Sequence, residues 1–236
     1  MCGAKRSIPL TYPRLKPTIF ITGTDTGAGK TVLTALLAQF LRQRGVQVAA
    51  LKPLCSGGRE DAEKIFAALG GALTLDEINP WHFRAVIAPA LAGKREKQSV
   101  KLASVLTHIR ATQRNFAVTL VEGAGGLLSP LGENFDSRDL ILALRAAPII
   151  VGQNKLGVVN HLLLTLEALP KNYRAEAKIV LMSPAKPDAA TAANAKMLAQ
   201  FFPLEKIFML PWLGKKFELK AALKKPPVRR ALQKLL

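Results

Sequence analysis

Residues 23–31 read Gly-Thr-Asp-Thr-Gly-Ala-Gly-Lys-Thr. An apolar run, Ile19-Phe20-Ile21, leads into them, and apolar residues at helical spacing follow from Val32. Glycines let a backbone fold close around a ligand, so that successive N–H groups converge on it. The helix behind the loop points its positive N-terminus at the same place. The chemistry that suits this order is polyphosphate binding. Lys30 reaches the β and γ oxygens, and the Thr31 hydroxyl helps to hold Mg²⁺. The loop is one residue longer than the common pattern, because Thr24 to Ala28 all lie between Gly23 and Gly29.

Two more strand ends carry charge. The apolar run 46–51 passes into Lys52-Pro53, and the run 116–121 ends in Glu122-Gly123-Ala124-Gly125-Gly126. Open α/β sheets bind ligands at the carboxyl ends of their strands. Lys52 is therefore a second cation for a transferring phosphoryl group, and Glu122 a carboxylate for a metal-bound nucleotide. Asp61 precedes an expected helix over 62–69 and has two readings that the sequence leaves open, a helix cap or a Mg²⁺ ligand. At 154–161 another strand-to-helix junction offers N–H groups to an anion such as a carboxylate. His82, His108 and His161 read as helix or surface residues, not as catalysts.

These groups need a scaffold. Strands are expected at 18–22, 46–51, 116–121, 148–151, 178–182 and 207–210, alternating with helices at 31–44, 62–69, 99–114, 139–145, 161–169 and 191–201. Residues 70–100 are less regular, with turns at Asn79-Pro80 and Ala88-Pro89. Alternation of this kind predicts an α/β fold, P-loop NTPase-like, with a mostly parallel sheet covered by helices on both faces. The expected organisation is a basic lead-in at 1–17, one domain at 18–214 and a basic C-terminal tail at 215–236.

Composition bounds the rest. Hydrophobic residues make up 49% of 236, enough for a substantial core. Cys2 and Cys55 form no disulfide framework and have no metal-ligand spacing, which fits a reducing compartment. There is no apolar run of membrane-spanning length, and 1–17 lack the apolar middle of a signal peptide, so a cytoplasmic protein is expected. The formal charge of +18 collects at the ends. Lys215, Lys216, Lys220, Lys224, Lys225, Arg229, Arg230 and Lys234 face only Glu218 in the tail. Basic ends can bind nucleic acid or an anionic membrane. No aromatic RNA-reading motif or zinc-finger spacing accompanies them, so they are read as solvated ends, with no nucleic-acid or membrane partner expected.

Taken together, Gly23 to Thr31, Lys52-Pro53 with Ser56-Gly57, Val121 to Gly126, and Lys155-Leu156-Gly157 with Asn160-His161 resemble dethiobiotin synthase, the ATP-dependent ligase of biotin biosynthesis. The long phosphate loop and Pro211-Trp212-Leu213 are also typical of that family. The resemblance spans about 18–213 and implies a homodimeric enzyme. In the family, 7,8-diaminononanoate takes up CO2 as a carbamate, the carbamate attacks the γ-phosphate of MgATP, and the second amine closes a cyclic urea. Carried over by position, Lys30 and Lys52 are catalytic, and Thr31, Asp61 and Glu122 hold Mg²⁺. ATP binding falls to Gly27, Ala28, Gly29, Lys30, Thr31, Val32, Asp61, Glu122, Gly123, Ala124, Gly125, Ser183, Pro211, Trp212 and Leu213. Substrate contacts fall to Thr26, Lys52 and Ser56, with Gly157, Val158, Val159 and Asn160 from the other subunit.

The chain departs from the family pattern in three places. The loop from Ser56 to Asp61 is short. Ala88-Pro89-Ala90 stands where Ser-Pro-His is frequent. Ser183-Pro184 replaces the Asn-Asp that reads adenine, which predicts relaxed nucleotide choice. Two other readings remain. One is a partition or site-placement ATPase that binds DNA or membrane, although Thr24 stands where such proteins usually carry lysine. The other is a divergent paralogue with a changed substrate.

Overall fold

β1 (Thr18–Gly23) is buried on both of its faces except at Ile19, as a strand in the middle of a covered sheet must be. In this computed structural model, which describes residues 17–236, it runs through the glycine loop into α1 (Lys30–Arg42). Next come β2 (Val48–Leu51), β3 (Leu54–Ser56), α2 (Glu60–Leu69), α3 (Leu75–Ile78), β4 (Trp81–Phe83), α4 (Pro89–Arg95) and α5 (Leu102–Gln113). The alternation continues through β5 (Val118–Glu122), α6 (Ser137–Leu144), β6 (Ala147–Gln153), α7 (Val158–Glu167), α8 (Lys171–Glu176), β7 (Lys178–Met182), α9 (Ala189–Leu198) and β8 (Ile207–Leu210). Two helices follow, α10 (Leu219–Lys224) and α11 (Pro226–Leu235). Of the expected lead-in, residues 1–16 lie outside the described residues.

Six strands form one parallel sheet in the order β2-β5-β1-β6-β7-β8. The chain leaves β1 toward β2 but leaves β6 toward β7, so connections diverge between the adjacent β1 and β6. That divergence is where open parallel sheets receive ligands. Local chemistry supports the neighbouring helices. Asp136 and Asp188 each cap the helix that follows, α6 and α9, through capping boxes.

The structure differs from expectation in two stretches. Pro53 does interrupt β2, but the chain resumes at once as β3, which pairs with β4 in a separate two-stranded parallel sheet. The backbone on both sides of Pro53 is tied to the 78–81 turn. Lys52 N donates to Ile78 O at 3.0 Å, and Trp81 N donates to Pro53 O at 3.1 Å. The buried side chain of Asn79 adds a bond to Lys52 O at 2.7 Å. What read as irregular chain is the brace behind Lys52.

The second difference is at 215–236. The segment read as a solvated tail forms α10 and α11, which pack on α1 and β8. Val228, Ala231, Leu232 and Leu235 turn inward and are buried, while Arg229, Arg230 and Lys234 stay exposed. Lys178 Nζ donates to Leu235 O at 2.7 Å and closes the C-terminal end of α11, where a cation suits the helix dipole. Among the described residues, no helix is long and apolar enough to cross a membrane.

Candidate active site

The glycine loop folds as its composition requires. Gly27 and Gly29 have φ of 73° and 103°, a region costly for any residue with a Cβ. A Cβ on Gly29 would also lie 2.8 Å from Met182 Cγ. Thr24 N donates to Val151 O at 2.9 Å and anchors the loop to β6. α1 begins at Lys30, so its first N–H groups open toward the bowl of the loop. Lys30 is 5% exposed. Its ammonium donates to Asp25 O at 2.9 Å and to Gly125 O at 2.8 Å, so it bridges the loops after β1 and β5. Burial, and after it the charge of Lys52, push its pKa down to about 8.

Beside it lies a cluster of charge. Lys52 Nζ donates to Glu122 Oε1 at 2.6 Å and pairs with Asp61 Oδ2 at 3.1 Å. Thr31 Oγ1 donates to the same Glu122 oxygen at 2.7 Å. Lys52 and Glu122 are 4% and 1% exposed, so their charges lie out of water. Burial alone would depress the Lys52 pKa, but Glu122 and Asp61 together overcome it and raise the value. At Asp61 burial opposes the charge, yet Lys52 holds the carboxyl below its ordinary range. The cap reading of Asp61 is thereby excluded: Arg59 occupies the N-cap of α2, and Asp61 sits in the first turn facing Lys52.

Glu122 Oε2 is buried with no hydrogen-bond partner. A carboxylate oxygen in that state needs a cation or a donor. Together with Thr31 Oγ1 and the Asp61 carboxylate it makes a set of hard oxygen donors that fits Mg²⁺, which takes one or two carboxylates and completes its shell with phosphate and water.

Two cavities meet at the loop. The larger, about 600 Å³, is lined by Lys30, Thr31, Lys52, Asp61, Thr26 and Ser56 and by the apolar Val86, Ile87 and Pro89. The second, about 370 Å³, is lined by Ser183, Pro211, Trp212 and Leu213. Gly27, Gly29 and Val32 belong to both. A nucleoside triphosphate spanning the loop would put its base in the smaller cavity and its terminal phosphate in the larger.

Most residues expected from sequence are therefore gathered. Ala28 lines the second cavity, and Ala124 and Gly125 line the first. Gly123 lines neither; a Cβ there would sit 2.6 Å from Ser137 Oγ, so its smallness serves packing. Gly157, Val158, Val159 and Asn160 also line neither cavity. Gly157 and Asn160 are exposed at the start of α7, whereas Val158 is buried beneath them. Ser56 Oγ is committed as a donor to Ile87 O at 2.5 Å and keeps only its lone pairs for a ligand.

Sequence reasoning missed Gln153, whose Nε2 donates to Gly27 O at 2.8 Å and steadies the phosphate loop. It stands at the carboxyl end of β6, as Glu122 does at β5, so the rule that singled out Glu122 also covers it. It also missed Ser129, whose Oγ accepts from Gly126 N at 2.8 Å, and Phe217 in the second cavity.

A parallel sheet with this loop, its lysine and its threonine–carboxylate cluster defines the protein as a P-loop NTPase in fold and site. A family model described as an AAA domain matches residues 17–216. The ATP-dependent dethiobiotin synthetase BioD of Anaeromyxobacter dehalogenans (strain 2CP-C) is 39% identical over 199 residues, covering 82% of this chain and 89% of that one. The protein of the same name from Akkermansia muciniphila is 34% identical, covering 77% of this chain and 85% of its own. The chain belongs to the dethiobiotin synthetase family. Among solved structures, pNOB8 ParA bound to nonspecific DNA matches with a TM-score of 0.56 at 14% identity, covering 93% of this chain and 97% of that one. At that identity the likeness is one of fold alone.

Proposed function

We propose that the protein is an ATP-dependent dethiobiotin synthetase, joining CO2 to 7,8-diaminononanoate in biotin biosynthesis. The observation that carries this reading is the position of Lys52. It is a buried ammonium held by Glu122 and Asp61, and it lines the same cavity as Lys30. A bare nucleotide switch needs the loop lysine. A second buried cation beside it serves a second anion at the terminal phosphate.

The steps follow from that pairing. One amine of the substrate adds to CO2 and loses a proton, giving a carbamate. A carbamate oxygen attacks Pγ, the bond from Pγ to the bridging oxygen breaks, and ADP leaves with the electron pair. The second amine then attacks the carbonyl carbon, the C–O bond to phosphate breaks, and the cyclic urea forms with release of phosphate and a proton. Lys30 and Lys52 neutralise the charge of two anions brought together, a service that preorganised groups in a dry site perform well. Mg²⁺, held by Thr31, Glu122 and Asp61, would neutralise the β and γ oxygens and leave the Lys52 ammonium for the carbamate. Val86, Ile87 and Pro89 offer an apolar wall to the substrate's carbon chain.

The reading includes a cytoplasmic homodimer. Gly157 and Asn160 are exposed, and none of Gly157 to Asn160 lines this chain's own cavities, as befits residues that complete a neighbouring subunit's site. Their N–H groups at the start of α7 suit the substrate carboxylate. The test is phosphate release from MgATP with bicarbonate and diaminononanoate. It should depend on the diamine and be matched by dethiobiotin detected by mass. Hydrolysis stimulated by DNA or lipid and indifferent to the diamine would overturn the reading.

A further inference from the structure

Gly214 has a φ of 102°, which glycine adopts without strain. Phe217 lies three residues on. It is half-buried, packs against the core, and lines the second cavity together with Met182, Pro184 and Trp212. It stands one residue past the segment that the family model matches.

Several polar groups of this cavity are spent within the protein. Asn154 is buried, with Nδ2 donating to Thr191 O at 3.1 Å and Oδ1 accepting from Asn194 at 2.8 Å. Gln153 Nε2 is engaged by Gly27 O, and Ser183 N by Leu210 O at 2.9 Å. A base entering here meets Met182, Pro184, Trp212, Leu213 and Phe217 beside the Ser183 hydroxyl. Trp212 keeps 47% of its surface exposed and lines the cavity. A heterocycle gains by lying on aromatic side chains whatever hydrogen-bond pattern its edge carries.

We propose that Phe217 is an aromatic wall of the nucleobase site, holding the base by stacking and so setting nucleotide preference by ring area more than by edge pattern. The inference rests on the nucleotide reading of the loop and adds a residue from beyond the matched segment. It makes the entry to α10 part of the nucleotide site. The conformation of 214–217 then bears on ATP affinity while leaving the phosphate grip alone.

Calorimetric titration of the full chain with MgATP and with magnesium tripolyphosphate, which lacks a base, separates the two contributions. The wild-type protein should bind MgATP more tightly than tripolyphosphate by on the order of tenfold, the worth of base stacking. Phe217→Leu keeps an apolar side chain but removes the ring face. It should lower that ratio by about tenfold, with tripolyphosphate binding unchanged, while Phe217→Tyr should retain the ratio. Equal affinities in the wild-type protein would overturn the proposal without any variant. So would a Phe217→Leu protein with an unchanged ratio, or one that binds both ligands worse in equal measure, since either makes Phe217 a packing residue only. Binding of neither ligand by the wild-type protein would overturn the nucleotide reading itself, and the proposal with it.

Discussion

Replacing Lys52 by Met keeps the length of the side chain and removes its charge. Glu122 is then left almost wholly buried with Thr31 Oγ1 as its remaining donor, one carboxylate oxygen having no partner already. Removing one member of a buried ion pair costs about 3–5 kcal/mol. The lower end applies, because the Asp61 side chain is 44% exposed and water can take it over. For a chain of this length about 3 kcal/mol corresponds to a fall of roughly 6–12 °C in Tm. Adding Glu122→Gln should restore part of the loss, so the double variant should be more stable than the sum of the singles by about 1 kcal/mol or more. The pH dependence has a definite sign. The raised Lys52 pKa gives stability that is present below its ordinary value of 10.5 and is lost only as pH rises through the folded value above it. The depressed Asp61 pKa gives stability that is present above 3.8 and is lost as pH falls through its lower folded value. The penalty of Lys52→Met should therefore be flat between about pH 5 and pH 9 and shrink below about pH 4. Urea unfolding of the four proteins of the cycle measures all of this. A Lys52→Met protein as stable as the wild type, or strict additivity, would refute the buried pair.

The Lys52→Met protein should also lose two or more orders of magnitude in turnover while binding MgATP nearly normally; near-normal turnover would remove Lys52 from the chemistry. Because the Lys30 ammonium is pushed down to about 8 in the free protein, kcat/KM for MgATP should fall by about tenfold per pH unit above that value, and a flat profile to about pH 9.5 would contradict the assignment. With Asn154 committed and Ser183 offering one hydroxyl, GTP and CTP should support turnover within about tenfold of ATP, the worth of roughly one hydrogen bond; stronger selection for ATP in competition assays would show an edge reader elsewhere. Leu232, on the inward face of α11, is fully buried, so Leu232→Asp should cost about 3 kcal/mol or more in urea unfolding, while the exposed Arg230→Asp should change stability by less than about 0.5 kcal/mol. Equal effects would mean that α11 does not pack as described.

The phosphate loop, Lys52 and Glu122 were legible because each follows a strand whose apolar run is unmistakable, and because parallel sheets place function at such ends. Asp61 was ambiguous in sequence because a carboxylate in the first turn of a helix has a local use as well as a distant one. Arg59 at the N-cap of α2 removes the local use, and the 3.1 Å contact with Lys52 gives Asp61 a partner outside its own helix. β3 and β4 were invisible for want of length: three residues each show no periodicity, and Pro53 suggested an end where the chain merely pauses. The tail was misread for a different reason. Its Lys and Arg residues point to solvent, and the stretch around Pro226-Pro227 reads as only weakly helical, although proline in a first turn starts a helix well. Val228, Ala231, Leu232 and Leu235 repeat at helical spacing, so the signal was present beneath the charge. Phe217 carries no motif at all, and only the fold brings it to the second cavity.

The proposed reaction turns on a carbamate oxygen meeting the terminal phosphate between Lys30 and Lys52. Bicarbonate labelled with ¹⁸O, turned over quickly with the diamine and MgATP, tests this through the mass of the released phosphate. One labelled oxygen in each phosphate formed alongside dethiobiotin is the predicted result. Unlabelled phosphate with normal dethiobiotin formation would mean that another group took the phosphoryl, and would contradict the account.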